Sequence, residues 1–421
     1  MTRKPRILMV AYACDPAGGG EHWLGWGWAS EMSRDHDIVL FTTSRGGDAL
    51  LAAVAERGIE VHCIDVPRWV RWLSGFPPGL GTWFRKFWWQ GMALKKARRL
   101  HARIPFDLVH QTTFHTFRVP FSCAKLGIPS VWGPIAGGER VPPGFEKYLG
   151  AAAKWEKFRA FVNHLNLGFP WVRTSLRNSS RIVVSNRTTL GFLPTEFHEK
   201  CVVISPNALR EEDMVTPAPR QKSEIFKMLF VGNCAPTRAM PLIFEAVAAN
   251  FPVEWRMKVV GAGTALDFWR EETARLKIAD RVEFTGPIPR EILQKIYQES
   301  SALVFPALRD SGGSALLEAM TLGLPILTFD WGGPGEIIDR DSAILVKPDT
   351  PEQTIADIRF GLLDLATHPD RAALLATSAR RRALQLFRWQ DKARIITLLY
   401  GEVIKQSNSS VVLESIQEGY N

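Results

Sequence analysis

Cysteine is scarce: five in 421 residues, at positions 14, 63, 123, 201 and 234. They are scattered, odd in number and never in C-x-x-C spacing, which argues against a disulfide framework or a structural zinc site and fits a reducing compartment. No stretch of 18 apolar residues occurs, so nothing reads as a membrane span. The opening MTRKPRILMVAYAC begins basic, but its apolar run is short for a signal peptide and leads into a strand and a glycine-rich turn; a cytoplasmic location is expected. The G-x-G-x-x-G dinucleotide fingerprint is missing, as are a basic helix-turn-helix and an RNP pattern, so no nucleic-acid partner is expected.

What is present is a globular composition, 46% hydrophobic and 23% charged, which excludes wholesale disorder. The length exceeds one ordinary core and predicts two or three domains. A formal charge of +9 and a pI near 9.4 favour anionic partners such as nucleotide phosphates or anionic lipid, although mild basicity is also ordinary for an enzyme surface.

Short apolar, β-branched runs alternate with helical patterns. Strands are expected at 6–12, 37–43, 59–66, 106–112, 128–134, 181–186 and 200–207, with helices at 22–34, 49–58 and 93–103. The rhythm restarts at 226–233, 254–263, 281–286, 302–308, 325–330 and 343–348, with helices at 241–251 and 267–278. Such alternation predicts an α/β chain with parallel sheets covered on both faces. The polar, proline-bearing stretch 208–224 reads as a linker. The expected organisation is therefore two Rossmann-like doubly wound domains, 1–207 and 225–390, facing across a cleft. A terminal segment, 391–421, is expected to return towards the first domain.

Five motifs could carry chemistry. PAGGGEHWLGWGWAS (16–30) places Gly18, Gly19 and Gly20 before a helix that opens at Glu21, either a tight turn or an anion-binding loop. In FDLVHQTTFHTFR, His110 and His115 lie at and past a strand end, suited to sugar contact or proton transfer. GPIAGGER brings Gly137, Gly138 and Glu139 after another strand, as a pocket wall or a plain turn. VGNCAPTRAM offers Asn233 and Arg238, and guanidinium binds phosphate oxygens bidentately. The most specific is FPALRDSGGSALLEAMTLGLP (305–325): Asp310, Ser311 and the pair Gly312–Gly313 open a helix that carries Glu318. Backbone N–H groups there can meet a diphosphate, and spaced carboxylates can accept from vicinal hydroxyls.

At these residues the chain resembles the family 4 glycosyltransferases of bacterial cell-surface and exopolysaccharide synthesis, from about residue 6 to 390. The family's two acids, separated by seven residues, correspond to Asp310 and Glu318; Glu318-Ala-Met and Gly323-Leu-Pro325 match its following run. The resemblance implies the GT-B fold and retaining transfer of a sugar from a nucleotide diphosphate, a UDP-sugar first. The acceptor would be a glycan or lipid-linked glycan. The donor is a substrate; no cofactor or metal is expected. Glu318 would hold ribose hydroxyls, and Asp310 with the Ser311–Gly313 backbone the sugar and diphosphate. The family's phosphate-binding pair falls on Asn233 and Arg238, where asparagine cannot supply charge. The base would lie near Gly286, Pro287 and Ile288, and Gly19 and Gly20 would reach the donor. Arg238, Asp310, His115 and His110 are the catalytic candidates; Glu21, Gly137, Gly138 and Glu139 are the acceptor-side candidates.

Segment 68–90 mixes Trp69, Trp72, Trp83, Trp88 and Trp89 with arginine and lysine, as suits a membrane interface, a core wrap or a subunit contact. If it meets lipid, the chain would work at the inner membrane face. Alternatives on the same scaffold are a nucleotide-sugar 2-epimerase, a phosphorylase, or a non-catalytic sugar-nucleotide-binding partner in glycan assembly.

Overall fold

The computed structural model describes residues 3–73, 80–209, 214, 223–248 and 250–418. Most of the 208–224 stretch, and residues 74–79 within 68–90, lie outside the described residues.

Seven strands form a first sheet: β1 (Arg6–Val10), β2 (Asp37–Thr42), β3 (Glu60–Cys63), β4 (Leu108–Gln111), β5 (Ser130–Ile135), β6 (Arg181–Val184) and β7 (Cys201–Val203). Six form a second: β8 (Phe226–Val231), β9 (Trp255–Val260), β10 (Val282–Gly286), β11 (Ala302–Phe305), β12 (Ile326–Phe329) and β13 (Ile344–Val346). The orders are β3-β2-β1-β4-β5-β6-β7 and β10-β9-β8-β11-β12-β13, and every pair is parallel. Strands such as LMV and IVLF are apolar on both faces because helices cover both faces, which is what a parallel sheet requires. This is the two-domain α/β arrangement of the GT-B fold.

The helix Trp389–Glu418 packs on the first domain, against Glu21–Met32. Trp28 and Trp389 meet edge to face at 5.1 Å. Gly27 makes room for this: a Cβ there would lie 2.1 Å from the Trp389 ring. The chain therefore crosses between domains twice. The crossings are tied together by Leu209 N–H donating to Phe387 O at 2.8 Å, and by Lys392 Nζ donating to the carbonyls of Ser205 and Asn207. A loop from the first half also enters the second core: Phe145, Tyr148 and Leu149 pack among the residues of β8 and its neighbours.

One expected helix is much longer. The pattern 93–103 is the end of a 22-residue helix, Leu80–His101. Aromatics at 83, 84, 87, 88 and 89 surround its first turns on all sides and obscure the period on which an amphipathic reading depends. Among the described residues no helix is long and apolar enough to cross a membrane.

Candidate functional site

In each sheet the strand order reverses beside the first strand, between β1 and β4 in one and between β8 and β11 in the other. Ligands bind beyond the carboxyl ends of strands at such switch points. The loops after β1 and β4 carry Gly18–Glu21 and Thr112–Arg118. Those after β8 and β11 carry Asn233–Arg238 and Pro306–Gly313. Motifs more than 60 residues apart in sequence thus meet in pairs.

On the second domain, Leu308 N–H donates to Thr237 O at 2.9 Å and joins the two loops. Arg238 lies in a 3-10 turn, Pro236–Arg238, ahead of Ala239 in a left-handed conformation (φ 41°). Its guanidinium rests 4.9 Å from the Phe305 ring centroid and is ion-paired through Nη1 with Asp310 Oδ2. Asp310 Oδ1 accepts from Gly312 N–H at 2.8 Å and Gly313 N–H at 3.2 Å. In this conformation two of the expected ligand contacts are made within the protein. The glycine N–H groups assigned to a diphosphate are occupied by Asp310, and the Asp310 carboxylate assigned to a sugar is occupied by its own loop and Arg238. An aspartate at the start of a glycine loop readily closes such a turn. Gly313, at φ 65°, then starts the helix Ser314–Thr321.

Glu318, half-buried on that helix, accepts at 2.9 Å from Tyr297 Oη of the helix Arg290–Glu299. Tyr297 had no motif to mark it. Asn233 and Pro287 are exposed, while Ile288 packs partly on the core. Gly261 brings the loops after β8 and β9 together: a Cβ would lie 1.9 Å from Gly232 O.

On the first domain, Gly19 and Gly20 have open space where a Cβ would project. Glu21 Oε1 accepts from the backbone N–H of His115 at 2.9 Å, so the loops after β1 and β4 are joined as well. His115 follows Phe114, a non-glycine residue at φ 63°. Such a conformation stores strain and persists only where the surroundings impose it. Burial lowers the His115 pKa, against the raising effect of Glu21, and its Nε2 is buried without a partner. His115, Glu21, Lys86, Thr116 and Arg118 line a cavity of about 290 Å³ with Thr82, Trp83 and Phe114.

His110 does not reach this cavity. It is fully buried, with Nδ1 hydrogen-bonded to Tyr400 Oη at 2.6 Å and Nε2 to Gly133 O at 2.8 Å. Burial pushes its pKa down to about 4. Two occupied nitrogens and a neutral ring make it a tie to the C-terminal helix, which corrects its catalytic assignment.

Glu139 is corrected for a similar reason. It is buried, accepting from Asn186 Nδ2 at 2.7 Å, Thr189 Oγ1 at 3.0 Å and Gly137 N–H at 3.0 Å. Gly138 lies against the helix Arg187–Phe192, where a Cβ would be 2.7 Å from Thr189 Cα. The GPIAGGER loop is therefore internally bonded, and these groups do not offer free contacts to an acceptor.

The loop's task is to join the domains. Asn186 Nδ2, held by Glu139, also donates to Ser311 O at 3.3 Å. Arg309 Nη2 pairs with Glu156 at 2.9 Å, Arg187 N–H donates to Glu336 at 2.7 Å, and Trp331 Nε1 to Arg140 O at 2.9 Å. The Asp310 loop is thus held from both sides.

Comparison with known proteins agrees with this layout. Residues 214–374 match the family model described as "Glycosyl transferases group 1". A D-inositol 3-phosphate glycosyltransferase of Geodermatophilus obscurus is 34% identical over 185 residues, 41% of this chain and 39% of that protein. The chain spans about two fifths of the length of the curated relatives it matches first. Among solved structures, sucrose-phosphate synthase of Thermosynechococcus elongatus superposes with TM-score 0.65 at 16% identity, covering 96% of this chain and 100% of that one. Anabaena HepE in complex with UDP and glucose gives 0.61 at 15% identity, covering 94% and 100%. These structural likenesses establish the fold.

Proposed function

We propose that the protein transfers a sugar from a nucleoside diphosphate, UDP-linked in the first instance, to a glycan or lipid-linked glycan acceptor. The observation that carries this reading is the pairing of Arg238 with Asp310 at the switch point of the second sheet, ahead of the helix that bears Glu318 and within the segment matching the glycosyltransferase model. Glu318, oriented by Tyr297, holds the ribose hydroxyls. Arg238 exchanges Asp310 for the diphosphate, and Asp310 turns to the transferred sugar. Fixed charge and dipoles at the departing diphosphate supply most of the rate. Transfer is retaining and needs no metal: a diphosphate oxygen takes the acceptor proton on the face the leaving group departs from.

The exposed rings of Trp69 and Trp72, 48% and 75% exposed, beside Arg68 and Arg71, support contact with an anionic membrane face.

A thermal-shift screen with UDP, GDP, ADP and CMP tests the donor site. A nucleotide at about 100 times its dissociation constant adds roughly 2.7 kcal/mol of stability. The shift should appear with one diphosphate and vanish in Glu318→Ala. No shift with any of them would remove the reading. Turnover of donor without acceptor would instead mark a 2-epimerase, and a requirement for free phosphate a phosphorylase. Binding without any turnover would mark a non-catalytic partner.

A further inference from the structure

The cavity beyond β4 gathers two cations, Lys86 and Arg118, beside a single lining carboxylate, Glu21. Lys86 Nζ lies 5.1 Å from the Phe114 ring centroid, and the Arg118 guanidinium 5.7 Å from that of Trp83. Aromatic faces hold a cation while leaving its charge intact. Among the described residues neither side chain has an ion pair, and Arg118 Nε is buried with no hydrogen-bond partner. Glu21 is the one carboxylate lining the cavity, and one of its oxygens is already taken by the His115 backbone. His115 adds a ring nitrogen that is also buried and unpartnered. Half-buried cations that rest on aromatic faces, with no ion pair among the described residues, are placed to meet an anion.

We propose that this cavity binds a phosphoryl group carried by the acceptor. Two cations and the Thr116 hydroxyl make a donor set that suits the oxygens and double negative charge of a phosphoryl group; a carboxylate would use only part of it. The volume of about 290 Å³ admits a phosphate and part of the residue bearing it. The site faces the donor loop: Arg309, adjacent to Asp310, acts electrostatically on Arg118, as do Glu139, Glu156 and Arg159. Burial, together with Arg159 and Arg309, pushes the Arg118 pKa down to about 10, and burial lowers that of Lys86; an anion between them reverses both effects. The inference rests on the reading of the first domain as the acceptor side.

The test is calorimetric titration of the full chain with inorganic phosphate, with acetate as the carboxylate control. It is joined by flotation with phosphatidylcholine vesicles containing phosphatidic acid. No nucleotide is present, so the result is independent of the donor screen. Phosphate or the phosphatidic acid vesicles should bind, and Lys86→Gln with Arg118→Gln should weaken that binding at least about tenfold, each lost charge-assisted bond counting for roughly that factor. Arg118→Lys should keep most of it. Arg238→Ala should leave it in place, which separates this cavity from the donor loop. Removing the unpaired cations should leave the melting temperature level or higher, so the loss is not one of folding. Dependence in the phosphate arm identifies a soluble phosphorylated acceptor; dependence in the vesicle arm alone identifies a lipid phosphate. Phosphate and vesicle binding both unaffected by the double substitution overturns the proposal. So does binding lost in Arg238→Ala, or acetate bound as well as phosphate.

Discussion

Asp310→Asn isolates the charge at the centre of the site. Asparagine keeps the oxygen that accepts from Gly312 and Gly313, so the loop retains its turn. What disappears is the anion facing Arg238. The two side chains are 17% and 11% exposed, and breaking a pair at that burial strands the remaining charge at a cost of about 3 kcal/mol. For a domain of this size that is a fall in melting temperature of about 6–12 °C. Arg238→Ala strands the opposite charge and should cost a similar amount. The double variant should cost less than the sum, with a coupling energy of about 1–3 kcal/mol in a double-mutant cycle. The same exchange predicts opposite effects on ligands. With Asp310 neutral, Arg238 is released to a nucleoside diphosphate, so the thermal shift caused by free nucleotide should exceed that of the wild type. The added preference for nucleotide sugar over nucleotide should shrink, because the carboxylate that would meet the sugar is gone. Scanning calorimetry and nucleotide titration read both effects. Additivity within about 0.5 kcal/mol, or an unchanged response to free nucleotide, would refute the idea that Asp310 occupies the diphosphate's arginine.

Tyr297→Phe removes the hydroxyl that orients Glu318 and should weaken nucleotide affinity about fivefold, the worth of one hydrogen bond, with little change in thermal stability; an unchanged dissociation constant by calorimetry removes the positioning role. His110 gives a pH signature. Its folded pKa, near 4, lies below the unfolded value of about 6.5, so the unfolded chain binds the extra proton between those values. Stability should therefore be fully present above about pH 6.5 and fall by about 3 kcal/mol as pH drops towards 4. His36 and His115 are shifted the same way, so His110→Asn should flatten part of the slope in denaturant titrations, and an identical slope would contradict the buried neutral ring. Trp72→Ser should reduce flotation with anionic vesicles while leaving nucleotide-induced thermal shifts unchanged; equal flotation would remove helix Arg68–Leu73 from the membrane contact.

The sheets were legible because buried parallel strands have to be apolar on both faces. FKMLFV and ILTF carry that demand in their composition, whatever their neighbours. The two loops of each switch point were legible for the same reason, since strand ends are visible once strands are. Direction was harder. Residues alternate across a strand, so His110 shares a face with Leu108, and Leu108 packs with Trp389 and Tyr400. A histidine at the end of β4 reads as a cleft residue by position and as a core residue by parity, and parity prevails. The remaining misreadings concern which partner a polar group takes. Asp310 and Glu139 stand where ligand-binding acids stand, but both are bonded inward, by their own glycine loops and by Arg238 or Asn186.

Nothing in the sequence paired the two cations of the acceptor-side cavity. Lys86 sits in an aromatic helix and Arg118 past the histidines, 32 positions later. Only folding sets Lys86 beside Phe114 and Arg118 beside Trp83, in a cavity whose one lining carboxylate is Glu21. A carboxylate at a strand end is ambiguous because the backbone around it offers N–H donors that can use it. A half-buried cation is less so, because guanidinium and ammonium groups only donate and need an acceptor from elsewhere. In this molecule the acids largely complete the scaffold, and the cations without ion pairs are the better guide to where an anionic substrate enters.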